Sequence, residues 1–215
     1  MDELRQQLID CARRMGDLGL NRGTAGNLSV RAPAAGEPGG FLITPSGMAY
    51  DALQPGDIVH VRPDGVASGC RQPSSEWRFH RDLYARRADA GAILHAHSPF
   101  ATSLACLRRD IPAFHYMIAR FGGDSLRCSD YATFGTQALS AAVLRAIDGR
   151  CGCLLANHGM LVIGRDLSQA LALGVELEAL CEQYWRACQL APPVLLDSAE
   201  MARVLAKFAG YGQQS

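Results

Sequence analysis

The sequence predicts an α/β protein: a single domain over residues 1–215, built in three layers with helices on both faces of a central, largely antiparallel sheet. Three observations carry that expectation. Short apolar runs alternate with stretches of helical periodicity along the whole chain. Several neighbouring runs are joined by hairpin-type turns, which suit antiparallel pairing. No linker, internal repeat or low-complexity tract divides the 215 residues, a length that buries a substantial core.

Taken in order, "DELRQQLIDCARRMGDLGL" places Leu4, Leu8, Cys11 or Ala12 and Met15 on one stripe and reads as an amphipathic helix ending near Gly16 or Gly19. "GNLSVRA" alternates as a strand, "APAAGEPGG" is a hairpin-type loop, and "GGFLITPSG" is a second strand closed by a Pro-Ser-Gly turn. "DIVHVRPDG" supplies a further strand and turn. "SSEWRFHRDLYARR" is a helix whose start is marked by Ser74, Ser75 and an early Glu76. "GAILHAHS" is a strand, "SPFATSLACLRR" and "TFGTQALSAAVLRAI" are helices, and "GCLLANHGMLVIG" is two strands around Asn157, His158 and Gly159. "DLSQALALGVELEALCEQYWRACQL" is a long helix opened by an Asp-x-x-Gln cap, and "SAEMARVLAKFAGYGQQS" is a last helix with a Gly-Tyr-Gly end.

Lys plus Arg equal Asp plus Glu at 21 each, so no basic surface is available for phosphate backbones or anionic lipid, and neither nucleic acid nor a membrane is an expected partner. The acidic start with charges at helical spacing differs from a signal peptide, and a cytoplasmic location follows as the expectation. In that compartment the eight cysteines are expected as reduced thiols without structural disulfides. Cys151 and Cys153, in C-x-C spacing with no second pair, read as strand packing rather than a zinc knuckle. Among the cationic side chains there is a single lysine, Lys207, on a helix expected at the surface.

The stretch "AILHAHSPF" carries the chemistry. Residues two apart on a strand share a face, so His95 and His97 present two imidazoles to one point, as a metal requires. A catalytic zinc site needs a third protein ligand and an open position, and His158 at another strand end is the candidate. The competing reading makes each a hydrogen-bonded core histidine. His60, His80 and His115 lie in segments without such an arrangement and read as surface or packing residues. "GNLSVR", "TPSG" and "PSSE" place small polar residues beside turns and helix starts, where backbone N–H groups and hydroxyls hold a phosphate without cationic side chains; the competing reading is ordinary turns and caps.

"GTAGNLSVR", "FLITPSGM", "PSSEWRFH", "AILHAHSPFAT", "IPAFHYMIARFGG", "YATFGT" and "LLANHGMLVIG", in this order, resemble the class II aldolase/adducin family, most closely its L-fuculose-1-phosphate aldolase branch, from about residue 4 to residue 211. The resemblance implies Zn²⁺ held by His95, His97 and His158, with Mn²⁺ or Co²⁺ as other candidates. It implies that Glu76 fills the open coordination position until substrate arrives and then transfers the proton. It carries a phosphate pocket over to Gly26, Asn27, Ser46, Gly47, Ser74 and Ser75, and implies a homotetramer in which Tyr116 and Tyr211 reach active sites at subunit interfaces. One departure is the ending Gln213, Gln214, Ser215, where aldolases of the branch carry an arginine; it leaves the aldehyde portion of the substrate open.

Cleaving a ketose 1-phosphate between C3 and C4 leaves a carbanion beside a carbonyl, which needs either a lysine Schiff base or a Lewis-acid metal. With Lys207 alone and at the surface, this chain favours the metal. The expected activity is reversible cleavage of L-fuculose 1-phosphate, or of a 5-deoxy- or 5-methylthio-pentulose 1-phosphate, to dihydroxyacetone phosphate and a small aldehyde. The family also hosts epimerases, which carry Asp in place of Glu76, and decarboxylases and dehydratases on the same site. A non-catalytic adducin-like binding module would need neither the ligands nor the base.

Overall fold

The computed structural model of the chain describes residues 1–32 and 39–209. Tyr211, the ending Gln213, Gln214, Ser215 and most of the expected loop at 33–38 lie outside the described residues. The elements run α1 (Asp2–Asp17), β1 (Asn27–Ala32), β2 (Gly40–Ile43), β3 (Val59–Val61), β4 (Ala67–Ser68), α2 (Trp77–Arg86), β5 (Ala92–Ala96), α3 (Pro99–Ala105), β6 (Cys128–Ser129), α4 (Gln137–Ala146), β7 (Gly152–Leu155), β8 (Gly159–Gly164), α5 (Leu167–Leu190) and α6 (Ser198–Ala209). A 3₁₀ helix covers Tyr116–Phe121.

One eight-stranded sheet in the order β4-β3-β2-β1-β5-β8-β7-β6 forms the middle layer, antiparallel throughout except for the short parallel pair β6–β7. Alternation along the strands divides the core. Leu28, Val30, Leu94 and Val162 pack with Leu8 and Met15 of α1, Leu104 of α3 and Leu177 of α5. Ile43, Val61, Ile93 and Leu161, one position out of phase, pack with Phe79 and Leu83 of α2 and Leu139 and Val143 of α4 on the opposite face. Each such side chain contributes about 1.5–3 kcal/mol on burial, which fixes the strand register and so the directions of the polar residues among them. His95 therefore projects on the α2 side, edge-on to Phe79 at 5.7 Å between ring centroids.

The long helix α5 opens as its sequence indicates: the Asp166 side chain accepts from the Gln169 N–H at 2.7 Å, and the Gln169 side chain accepts in return from the Arg165 N–H at 2.8 Å. Midway along it, Glu178 caps a different helix. Its carboxylate accepts from the Ser98 hydroxyl at 2.6 Å and from the backbone N–H groups of Phe100 and Ala101 at 2.8 and 2.9 Å, the free donors at the start of α3. That bond set anchors the chain immediately after His97.

All eight cysteines are free thiols, and Cys153 is buried in β7 as packing. Lys207 is exposed on α6. The two-residue strands β4 and β6 carry no alternation long enough to be seen in the sequence.

Replacing Glu178 by Ala strands three donors at the start of α3 and is expected to lower stability by about 2–3 kcal/mol in denaturant titration, more than ordinary loss of a surface cap. Glu178→Gln, which still accepts hydrogen bonds, should recover part of it.

Candidate active site

Four side chains from three separate segments converge at one end of the sheet. Glu76 occupies the cap position before α2, and its carboxylate turns inward instead of capping the helix. His95 lies in β5 and His97 just beyond it, where the ladder has ended at the pair Ala96 and Met160. His158 sits in the tight β7–β8 connection closed by the pair Leu155 and Gly159, with Asn157 in the left-handed region at φ 53°. Asn tolerates that conformation better than most residues, which suits a three-residue hairpin loop.

The three imidazoles form a tripod: ring centroids lie 4.7–4.9 Å apart in all three pairs, with interplanar angles of 73–74°. The ligating atoms of the four residues lie within 4.8 Å of one another. His95 Nε2 is 3.0 Å from His97 Nε2 and 3.1 Å from Glu76 Oε2, and His158 Nε2 is 3.3 Å from Glu76 Oε1. His95 Nδ1 lies 2.8 Å from the Met160 carbonyl and donates to it, which turns Nε2 toward the centre.

Two glycines allow the approach. Gly26 has φ +76°, and a Cβ there would sit 2.7 Å from the His95 carbonyl and 2.6 Å from the Asn21 side chain. A Cβ on Gly159 would collide with the Ala96 carbonyl and come within 3.1 Å of the His97 ring.

Electrostatics follow from the enclosure. Burial works to raise the Glu76 carboxyl, but the charge and hydrogen bond of His95, the charge of His158 and the Asn27 amide at 3.0 Å bring it down to about 2. Burial, then positive charge on His95, pushes both His97 and His158 down to about 4, so both are neutral with free lone pairs. Burial opposes protonation of His95 too, yet the adjoining Glu76 carboxylate, helped by the Met160 carbonyl, raises it overall.

A divalent cation fits this donor set. Glu76 Oε1 is buried and accepts no hydrogen bond, and two imidazole nitrogens face each other at hydrogen-bond distance with a third close by. A cation satisfies all of these groups at once.

Beside the tripod opens a cavity of about 300 Å³. Gly26, Asn27, Ser46, Gly47, Ser74 and Ser75 all line it, with Glu76, His97 and His158. The backbone stitches these turns together: the Ser46 N–H donates to the Gln72 carbonyl and the Ser74 N–H to the Thr44 carbonyl, both at 3.1 Å. The serines do not cap α2, which starts at Trp77 with no side-chain cap; Ser74 Oγ accepts only a long bond, 3.4 Å, from the Glu76 N–H. No lysine or arginine is among the lining residues.

Three features went unseen in the sequence. Tyr131 and Phe134, quoted only within "YATFGT", line this cavity while remaining more than half exposed. His80 is not an unpartnered packing residue: fully buried, it lies 2.6 Å from Asn27 Oδ1 and 2.7 Å from Ser29 Oγ. Its i+4 spacing from Glu76 was the available signal. Tyr116, in turn, is not at this cavity. It is 51% exposed and lies in a separate groove, stacked between His115 and Phe208.

A three-layer α/β fold in which three imidazoles and a carboxylate close on one point beside a polar cavity has the donor set of a metal-dependent enzyme. A family model, Class II Aldolase and Adducin N-terminal domain, matches residues 6–185. The 5-methylthioribulose-1-phosphate/5-deoxyribulose-1-phosphate aldolase of Rhodospirillum rubrum is 56% identical over 212 residues, spanning 99% of this chain and 94% of that protein. The L-fuculose phosphate aldolase of Escherichia coli K12 is 43% identical, spanning 98% and 96%. A solved L-fuculose 1-phosphate aldolase superimposes with a TM-score of 0.91 at 39% identity, covering 96% of each chain. The chain belongs to the class II aldolase and adducin family and is a lyase, of a family that uses a divalent metal. Among the described residues no helix is long and apolar enough to cross a membrane.

Metal uptake must free the His95 lone pair, so titration of divalent metal into metal-free protein near neutral pH is expected to release protons, read as a dependence of the heat on buffer ionisation. Apparent affinity should fall with acidification, most steeply as pH drops through about 4, where His97 and His158 take protons as well.

Proposed function

We propose that this chain is a zinc-dependent aldolase that reversibly cleaves a ketose 1-phosphate between C3 and C4, yielding dihydroxyacetone phosphate and a small aldehyde. The observation that carries the reading is the pairing of a histidine tripod with a buried carboxylate, one oxygen of which is unclaimed, beside a cavity rich in neutral hydrogen-bond donors. Manganese or cobalt is the alternative for the same nitrogen ligands. A 5-methylthio- or 5-deoxy-pentulose 1-phosphate is the preferred substrate, supported by the relative at 56% identity, with L-fuculose 1-phosphate next.

His95, His97 and His158, with Glu76 in the absence of substrate, would hold the ion. When bound, it supplies Lewis-acid stabilisation of the negative charge that develops beside the ketone as C3–C4 breaks. The phosphate lodges among Asn27, Ser46, Ser74, Ser75 and the backbone at Gly26 and Gly47, and this remote binding fixes C3 and C4 relative to the carboxylate. In the synthetic direction the Glu76 carboxylate removes a proton from the carbon of dihydroxyacetone phosphate that becomes C3; in cleavage the C4 hydroxyl gives up its proton as C3–C4 breaks, and Glu76, protonated in that step, returns a proton to C3. Tyr116 serves the oxygen that becomes the aldehyde.

Tyr116 does so in a neighbouring protomer's site, with Tyr211 as the second tyrosine that the family resemblance assigns to that role, in a homotetramer with active sites at subunit interfaces. Its exposure and its place outside the cavity of its own protomer support that assignment. Residues 1–215 act as one catalytic unit, and eight free thiols suit a cytoplasmic location.

Release of dihydroxyacetone phosphate from 5-methylthioribulose, 5-deoxyribulose and L-fuculose 1-phosphates tests the reading. Release that a chelator stops and zinc restores is expected; no release from any of them with zinc bound would overturn it. Glu76→Gln should lower kcat by about 10²–10⁴-fold, and Tyr116→Phe should impair turnover without changing zinc content.

A further inference from the structure

We propose that His80, backed by Ser29 and Tyr84, is a positioning residue that fixes the orientation of the Asn27 amide and thereby sets which oxygen of Glu76 is left to carry the proton. The inference rests on the aldolase reading of Glu76 for its catalytic consequence, and on the structure alone for its geometry.

The hydrogen-bond directions are forced from one end. An ionised carboxylate only accepts, so at 3.0 Å from Glu76 Oε2 the Asn27 side chain must present its N–H₂ group. Its carbonyl oxygen then faces His80 Nε2 at 2.6 Å, and that nitrogen must bear hydrogen. His80 is fully buried, and burial, then charge on His95, drives it down to about 3, so it is neutral with one N–H and a bare Nδ1. Ser29 Oγ, 2.7 Å from Nδ1, must therefore donate to it, and Tyr84 OH, 2.9 Å from Ser29 Oγ, donates to the serine in turn. Tyr84, Ser29, His80, Asn27 and Glu76 form one chain of donors running toward the carboxylate.

The fold holds every member. Asn27 and His95 are directly opposed in the β1–β5 ladder, and Ser29 follows on the same face two residues along. His80 and Tyr84 stand one turn apart on α2, one turn beyond Glu76, all facing the sheet. A flipped Asn27 would set its carbonyl against the Glu76 carboxylate, and His80 is the group that forbids the flip. With Oε2 thus engaged, Oε1 remains buried without a hydrogen bond, beside the cavity where the reacting carbon lies. A histidine used only for packing would make no demand on the tautomer and would tolerate an apolar replacement of similar size.

Two measurements test this. In the unmodified protein, imidazole ¹⁵N spectra, with the His80 signal assigned through His80→Gln, should report a neutral Nε2–H tautomer; an Nδ1–H tautomer or an imidazolium would overturn the proposal, whatever the substrate of the enzyme. In variants with zinc content measured alongside, deuterium exchange from solvent into dihydroxyacetone phosphate reads the proton transfer without an aldehyde. His80→Leu should lose at least tenfold in exchange rate with zinc retained, and His80→Gln, whose amide restores a donor toward Asn27, should recover most of it. Wild-type exchange in His80→Leu, or equal loss in both variants accompanied by loss of zinc, would overturn the positioning role. If His80→Leu fails to fold, Tyr84→Phe removes only the last hydroxyl and should still slow exchange severalfold; an unchanged rate there would count against the chain. Absence of exchange in the wild type would refute the aldolase reading and leave the tautomer result to decide the geometry.

Discussion

A buried carboxylate and a buried imidazole, closed over by two half-buried imidazoles, form an arrangement that water only partly reaches. Removing a charged carboxylate from solvent is costly unless a cation or several donors face it, and bare imidazole nitrogens in contact repel one another unless something positive lies between them. Around Glu76, His95, His97 and His158 the chain supplies a proton on the far nitrogen of His95, an amide from Asn27 to Glu76 Oε2 and no hydrogen bond to Oε1. The structure thus brings one carboxylate and three imidazoles together with few donors among them. The depressed histidines, the raised His95 and the strongly acidic Glu76 are all expressions of that one imbalance.

The rest of the fold serves to hold those groups against their own repulsion. Adjacent strands β1, β5 and β8 deliver Asn27, His95 and the turn bearing His158 to the same end of the sheet, and a rigid register makes their spacing a property of the backbone. Two positions without side chains, Gly26 and Gly159, let those strands and turns close to contact. Glu178, reaching from the opposite layer, ties down the segment that follows His97. Of these supporting residues, Gly159 and Glu178 lie outside the cavity lining.

Much of this was legible in the sequence, for a physical reason. Long amphipathic helices and the H-x-H strand declare themselves through periodicity, and the ordered motifs carried Glu76, His158 and the small polar turns together. What escaped lies beyond the range of local pattern. The two-residue strands β4 and β6 exist because neighbouring strands offer them partners. His80 reads as one polar residue on a helix, and its meaning depends on Asn27 and Ser29, some fifty positions earlier in the chain. The serines before α2 read from sequence first as ordinary caps and second as anion ligands, and the sequence does not show that Glu76 takes the cap position and leaves α2 without a side-chain cap.

The proposed ligands are drawn from residues 76, 95, 97 and 158, so an ion bound among them would close a large loop of chain from the start of α2 to the β7–β8 hairpin. A protein whose cysteines are all free has no covalent clasp, and the ion takes that part: a reversible cross-link that restricts the unfolded chain only while it is bound. Because such an ion binds the folded form far better than the unfolded one, each tenfold rise in its free concentration above the dissociation constant adds about 1.4 kcal/mol to stability. For an enzyme that depends on such an ion, metal supply governs how long the molecule survives as well as how fast it turns over.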